Sequence, residues 1–170
     1  MLDLPGALTP VQKEMFSLWK KDTAEVFQIA QENVNRKEIE KVTEEFDLDD
    51  TKVEVSFLGN EDYAASYALD LKRISPDLVG EWGSVIAIPN KGIVDICKIS
   101  REKTVEFVKF IQRMKSTVEK SYQEHEQPVS DQFFWYYNEK FTKIEVIEQA
   151  NGRIDVISPY GLSALKTEKL

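Results

Sequence analysis

The feature that most constrains the fold is the stretch from Trp82 to Ile99, whose sequence is WGSVIAIPNKGIVDICKI. Two runs rich in β-branched residues flank a short turn, in which Pro89 and Gly92 bracket an Asn-Lys pair. This pattern is typical of a β-hairpin. Both arms are apolar on both faces, whereas a half-buried strand needs only one apolar face. The sequence therefore predicts two central strands that are covered on both sides.

Helices are predicted on either side of this hairpin. Thr9 followed by Pro10 is typical of a helix start, and Asp22 with Glu25 three residues later resembles a capping box. After the hairpin, Ser100 is the predicted cap of a long amphipathic helix, because apolar residues recur there at helical spacing. The sequence therefore predicts N-terminal helices and one long central helix.

Two segments are harder to assign. Residues 38–50 are strongly acidic, but Ile39, Val42 and Phe46 are spaced as on a helix, so a third short helix is predicted there. Residues 62–74 fit a strand and a helix about equally well, and we favour the strand.

Further strands are predicted from alternating apolar residues, and they are Val53–Phe57, Phe133–Tyr137, Phe141–Glu148 and Arg153–Ile157. The Asn151-Gly152 pair before the last one is a strong hairpin signal. A short helix or tail follows Ser158-Pro159. The order of elements predicts an α+β fold, with a mainly antiparallel sheet built from hairpins and packed against the helices. We expect one domain over residues 1–170, with residues 1–8 and 166–170 as candidate disordered ends.

Composition narrows the classes of function. The net charge is −8, and residues 1–50 alone carry 12 acids against 6 bases. An acidic chain without a basic stripe is a poor match for nucleic acid or for an anionic membrane surface. The N-terminal residues lack the features of a secretory signal, so the predicted compartment is the cytoplasm. Cys97 is the single cysteine, and its apolar surroundings predict a buried core residue rather than a reactive thiol.

No segment carries a recognisable catalytic or metal-binding motif. His125 is the single histidine and has no obvious partners, so we expect a solvated side chain near the end of the long helix. The acidic run from Glu44 to Asp50 lacks the glycine and the terminal glutamate of an EF-hand loop. We therefore assign no catalytic residue, no metal ligand and no cofactor.

The aromatic strand FFWYY is the main candidate for a binding surface. Phe133, Trp135 and Tyr137 are predicted to lie on one face of it, where they either pack in the core or form a recognition surface. In the second case the chain is a non-enzymatic protein-binding or adaptor domain, and its partner is another protein or a second copy of itself.

Asp95 supports an alternative function. By alternation it shares a face with apolar residues, so partial burial is expected to raise the pKa of its carboxyl group. The alternative is a carboxylate-dependent hydrolase with Asp95 in a small pocket, joined by Glu81 or Asp70. Asp95 is therefore a second candidate site residue.

Five landmarks between Trp19 and Ile144 resemble a bacterial family of unknown function, the YtpQ-like family (domain of unknown function 1444). They include the run WKKDTAEVFQIAQENV, the segment DYAASYAL with Ser66, the strand VIAIPNKG and the segment PVSDQFFWYYNEKF. The chain departs from the family at the turn, where Lys91 stands for the usual arginine and Gly92 for the usual aspartate. The resemblance implies the fold, and adds Ser66 and Lys91 as candidate binding residues, but implies no activity.

Overall fold

The structure, a computed structural model, describes the backbone of residues 2–4, 7–9, 11–48 and 51–168, and the side chains of residues 11–48 and 51–165. Its contacts divide the chain into two compact units, Met1–Arg36 and Lys37–Leu170, and each is described by itself. The single domain expected from the sequence stays a prediction.

The first unit contains two short strands and two helices, which are β1 (Leu2–Leu4), β2 (Ala7–Thr9), α1 (Lys13–Leu18) and α2 (Thr23–Asn35). The two strands pair antiparallel. The predicted cap of α2 is confirmed, because the Asp22 carboxylate accepts a hydrogen bond from the Glu25 N–H at 2.8 Å. The predicted helix start at Thr9 is wrong, since Thr9 ends β2 and α1 begins at Lys13; Pro10 lies outside the described residues.

The second unit contains the main sheet, with the strands β3 (Glu40–Leu48), β4 (Thr51–Gly59), β5 (Ser84–Asn90), β6 (Ile93–Lys98), β7 (Phe133–Tyr137) and β8 (Lys140–Lys143). A separate hairpin is formed by β9 (Glu145–Glu148) and β10 (Ile154–Ile157). Its helices are α3 (Ala64–Tyr67), α4 (Leu71–Ile74), α5 (Glu106–Glu124) and α6 (Tyr160–Glu168). Short 3₁₀ turns occupy Ala68–Asp70 and Pro76–Leu78.

The sheet confirms the predicted α+β class. Among the described residues its strand order is β3-β4-β6-β5-β7-β8, and all neighbours are antiparallel. The predicted central hairpin is β5 and β6, in the middle of the sheet, and every residue of β5 is buried. The predicted strands at Val53, Phe133 and Arg153 are also present, as β4, β7 and β10.

Both faces of the sheet are covered, as the apolar hairpin predicted. One face packs against α5, and its buried members include Val55, Val85, Cys97 and Phe133. The segment from α3 to the second 3₁₀ turn approaches the other face. There the Lys72 N–H donates to the Tyr136 hydroxyl oxygen at 3.2 Å.

The helix predicted within residues 38–50 is wrong. Residues Glu40–Leu48 form β3, which pairs with β4 at nine positions from Glu40↔Gly59 to Leu48↔Thr51. Nine pairings with a neighbouring strand outweigh the weak helical spacing of the apolar residues, because strand preference depends on cross-strand contacts.

Three other boundaries also differ from prediction. Residues 62–74 are helical rather than a strand, as α3, a 3₁₀ turn and α4. The long helix begins at Glu106, not after Ser100, and its N-cap Val105 has no side chain that accepts a hydrogen bond. The strand predicted at 141–148 splits at Ile144 into β8 and β9.

Residues 1–8 and 166–170 are the candidate disordered ends, and their described parts carry regular structure. Strands occupy Leu2–Leu4 and Ala7–Thr9, and α6 reaches Glu168. The remaining end residues, Met1, Pro5, Gly6, Lys169 and Leu170, lie outside the described residues.

Candidate functional site

The turn between β5 and β6 is held by the side chain of Asn90. Its Oδ1 accepts a hydrogen bond from the Gly92 N–H at 2.9 Å, and its Nδ2 donates to the Ser121 carbonyl of α5 at 3.4 Å. The Asn90 side chain is buried, so both polar atoms need these partners. The turn is therefore fastened to the last turns of α5.

Two other segments meet this turn. Asn60, directly after β4, receives the N–H groups of Asp62 and Tyr63 on its Oδ1, and its own N–H donates to the Gly92 carbonyl at 3.1 Å. On the other side, the Lys91 N–H donates to the Gln127 carbonyl at 3.3 Å. Three segments that are distant in sequence thus converge at one end of the sheet.

A cleft of about 610 Å³ lies between these three segments. Gly59 and Gly92 line it, together with residues 124–127. Because Asn60 and Asn90 fix the surrounding loops by hydrogen bonds, the cleft is built by the fold rather than by loose surface side chains. We refer to it as the acidic cleft.

The acidic cleft is lined by glutamates, which among the described residues are Glu40, Glu61, Glu124 and Glu126. All of them are exposed to solvent. Lys91 also lines the cleft, but its ammonium group forms an ion pair with the Asp62 carboxylate. The lysine charge is therefore neutralised locally, and the cleft presents a negative surface that favours a cationic group.

His125 lines the same cleft, directly after the last residue of α5. Its Nδ1 accepts a hydrogen bond from the Gln127 N–H at 2.9 Å. The position at the helix end was predicted, but the side chain is half-buried and belongs to a cleft that the sequence did not indicate. Within the described residues, no group of three or more His, Cys, Asp or Glu side chains is placed to hold a metal ion.

Two candidate residues from the sequence lie at this end of the sheet. Lys91 lines the cleft, and the Lys91 carbonyl accepts a hydrogen bond from the Ala65 N–H at 3.0 Å. Ser66 follows Ala65 and is half-buried in α3. The structure therefore places Lys91 in the cleft. Ser66 lies directly after Ala65, the residue that bonds to the Lys91 backbone.

The aromatic strand lies elsewhere, and the structure decides between its two interpretations. Phe133 and Trp135 are buried in the core, and Tyr137 stacks on Trp135 with ring centroids 5.1 Å apart. The Trp135 indole N–H donates to the Trp82 carbonyl at 2.8 Å. A Cβ added to Gly161 of α6 would approach the indole to 3.0 Å, so α6 lies directly against it. Phe133 and Trp135 therefore belong to the core, and Tyr137 is half-buried beside them.

Asp95 also lies on the face that α5 covers. It is 3% exposed, and its cross-strand neighbours are Phe57 on β4 and Ala87 on β5. Burial raises the pKa of the Asp95 carboxyl group from its ordinary 3.8 to about 7. The expected upward shift is confirmed. Burial likewise raises the pKa of the Cys97 thiol to about 12, as fits a core cysteine.

The acids proposed as partners of Asp95 are not brought to it. Asp70 forms an ion pair with Arg73 at 2.5 Å, in the helical segment that approaches the opposite face of the sheet. Glu81 is exposed in the turn before β5. A hydrolase with paired carboxylates needs two acids that converge on one substrate bond. The described residues offer Asp95 no such second acid.

Comparison of the chain with models of protein families, with curated proteins and with solved structures found no match. The resemblance to the YtpQ-like family therefore stays a prediction. In the described part of the chain, no helix combines the length and the apolar character needed to cross a membrane.

Proposed function

We propose that this chain is a protein-binding domain that takes a basic segment of a partner protein in the acidic cleft. The observation that supports it is the set of exposed glutamates around a cleft whose lysine is already paired with Asp62. The proposal keeps the adaptor-type function predicted from the sequence, but moves the contact surface away from the aromatic strand, because Phe133 and Trp135 are buried. A cytoplasmic location is part of the same proposal.

Charge complementarity decides the class of partner. A Lys or Arg side chain gains attraction from several carboxylates at once, whereas an acidic segment or a phosphate is repelled. Exposed ion pairs are each worth about 0.2–1 kcal/mol, so affinity depends on several contacts acting together. Binding of this kind weakens as salt is added, because exposed charges are screened.

The test uses a fluorescein-labelled ten-residue peptide in which lysine and threonine alternate, and a second peptide with glutamate in place of lysine. We expect the lysine peptide to bind and the glutamate peptide not to bind, as measured by fluorescence anisotropy at low salt. The double variant Glu124→Gln/Glu126→Gln should weaken binding by about fivefold, since it removes two charges from the cleft.

The matched control is Asp77→Asn/Glu145→Gln, which removes two exposed acids that do not line the cleft. It changes the net charge by the same amount, and we expect unchanged affinity. Equal weakening in both double variants would contradict the proposal, because it would show attraction to the overall charge alone. Absence of binding by the lysine peptide would also contradict it.

A further inference from the structure

The outer edge of β3 is one of the two end edges of the main sheet. β3 is an end strand, and it pairs with β4 along all nine of its residues. In the part of the chain that the structure describes, no strand pairs with its other side. An unpaired edge presents backbone N–H and C=O groups that an additional strand can bind.

The register identifies the backbone groups on this edge. The Asn60 N–H donates to the Gly92 carbonyl on the β6 side, so even-numbered positions along β4 direct their backbone groups toward β6. The odd-numbered positions of β4 therefore bond to β3, where their partners in register are even-numbered. The outward-directed backbone groups consequently belong to the odd residues of β3, which are Lys41, Thr43, Glu45 and Asp47.

The charges on β3 decide which kind of strand this edge accepts. Glu40 and Glu44 lie on one face of the strand, and no ion pair joins either of them to another described residue. Glu45 pairs with Lys52 at 2.5 Å, and the Lys41 ammonium donates to the Ser75 hydroxyl at 2.5 Å. Two copies of β3 paired antiparallel about Glu44 or about Glu45 would bring that acid opposite its own copy, which is destabilising. The edge therefore favours a strand that carries lysine or arginine.

We propose that the outer edge of β3 binds an extended basic segment of a partner as an additional strand. The inference rests on the proposed function, and it deepens it by naming the conformation of the bound segment. Glu40 connects the two surfaces, because it begins β3 and also lines the acidic cleft. A segment paired along β3 reaches the cleft at this residue, where its basic side chain meets the glutamates.

Thr43 provides a matched pair of variants. Thr43→Pro removes an outward-directed N–H that the added strand would bind, and an edge strand accepts proline at such a position. Thr43→Val keeps this N–H. Both variants lose the hydrogen bond of 2.9 Å between the Thr43 and Ser56 hydroxyls, so the comparison isolates the backbone group.

The experiment measures binding of the alternating lysine–threonine peptide by anisotropy and amide hydrogen exchange in the wild-type protein. We expect Thr43→Pro to weaken binding by about tenfold, and Thr43→Val to leave it within about twofold. We also expect peptide binding to slow exchange at the amides of Lys41, Thr43, Glu45 and Asp47. The exchange measurement keeps the test decisive if the proline variant does not fold.

The outcomes separate the two proposals. If the peptide binds and depends on Glu124 and Glu126, but these four amides are not protected, the edge inference is overturned and the proposed function stands. The same holds if Thr43→Pro binds as well as Thr43→Val. If the lysine peptide does not bind at all, the proposed function fails, and the edge inference fails with it.

Discussion

Asp95 places a carboxyl group in the apolar layer between the sheet and α5, where water does not solvate it. Its neighbours across the strands are Phe57 and Ala87, and neither offers a side-chain hydrogen bond. Desolvation therefore dominates, and the pKa of Asp95 rises to about 7. At neutral pH the native protein carries a group whose charged form the core disfavours.

This environment makes stability depend on pH in a definite direction. The folded pKa of about 7 exceeds the ordinary 3.8, so the native state binds the proton more tightly. The stabilisation is fully present below about pH 4 and is lost as pH rises through 7, at a cost on the order of 4 kcal/mol. Asp95→Asn should flatten this dependence and stabilise the protein at pH 8, as measured by urea unfolding at pH 5 and pH 8. If the free energy of unfolding changed with pH equally in the variant and the wild type, the raised pKa of Asp95 would be refuted.

Trp135 is a core residue whose replacement should destabilise the protein. Its indole is buried, lies against Gly161 and donates to the Trp82 carbonyl. Trp135→Ala should therefore lower the free energy of unfolding by about 3–5 kcal/mol. Trp135→Phe keeps an aromatic ring and loses the N–H, so we expect a smaller loss of about 1–2 kcal/mol. A Trp135→Ala variant with wild-type stability in urea unfolding would disprove the core assignment.

At the scale of the elements, the turn that leads into β5 depends on one glycine. Gly83 has a φ of +82°, and a Cβ there would lie 2.2 Å from the Tyr136 carbonyl oxygen. Gly152 has a similar φ of +79°, but a Cβ there would meet nothing within 4 Å. This contrast separates backbone strain from a steric clash with the neighbouring strand β7.

The two glycines provide a matched comparison. Gly152→Ala should destabilise the protein by about 1 kcal/mol, which is the strain of a left-handed alanine. Gly83→Ala adds a clash with backbone atoms of β7, so we expect it to be clearly more destabilising in thermal unfolding. Equal losses in the two variants would mean that the approach of β5 and β7 is not as close as described.

The elements also show what local sequence predicts. The central hairpin is predictable because two local signals mark it: β5 and β6 are apolar on both faces, and a turn with Pro89 and Gly92 separates them. β3 is mispredicted as a helix because Ile39, Val42 and Phe46 are spaced as on a helix, while Glu44 interrupts the alternation expected of a strand. What makes it a strand is pairing with β4, which is a contact between segments and leaves little trace within either.

The acidic cleft is a feature of the whole molecule, and no local sequence pattern predicts it. Its walls come from residues near 60, 91 and 125, and no motif joins them in the sequence. The sequence indicates an acidic chain and offers Lys91 as a candidate residue. It does not indicate that the Lys91 charge is neutralised by Asp62. The net charge of −8 alone does not locate a binding site, whereas the fold places exposed glutamates around one cleft.

Binding of a basic segment at the acidic cleft can be tested by mapping the residues that it contacts. We would titrate ¹⁵N-labelled protein with the alternating lysine–threonine peptide and follow the amide chemical shifts by NMR. We expect the largest shifts to cluster at Asn60, Lys91 and Gly92 and over residues 124–127, and to diminish as salt is raised. Shifts that are absent, or that cluster away from these residues, would contradict it.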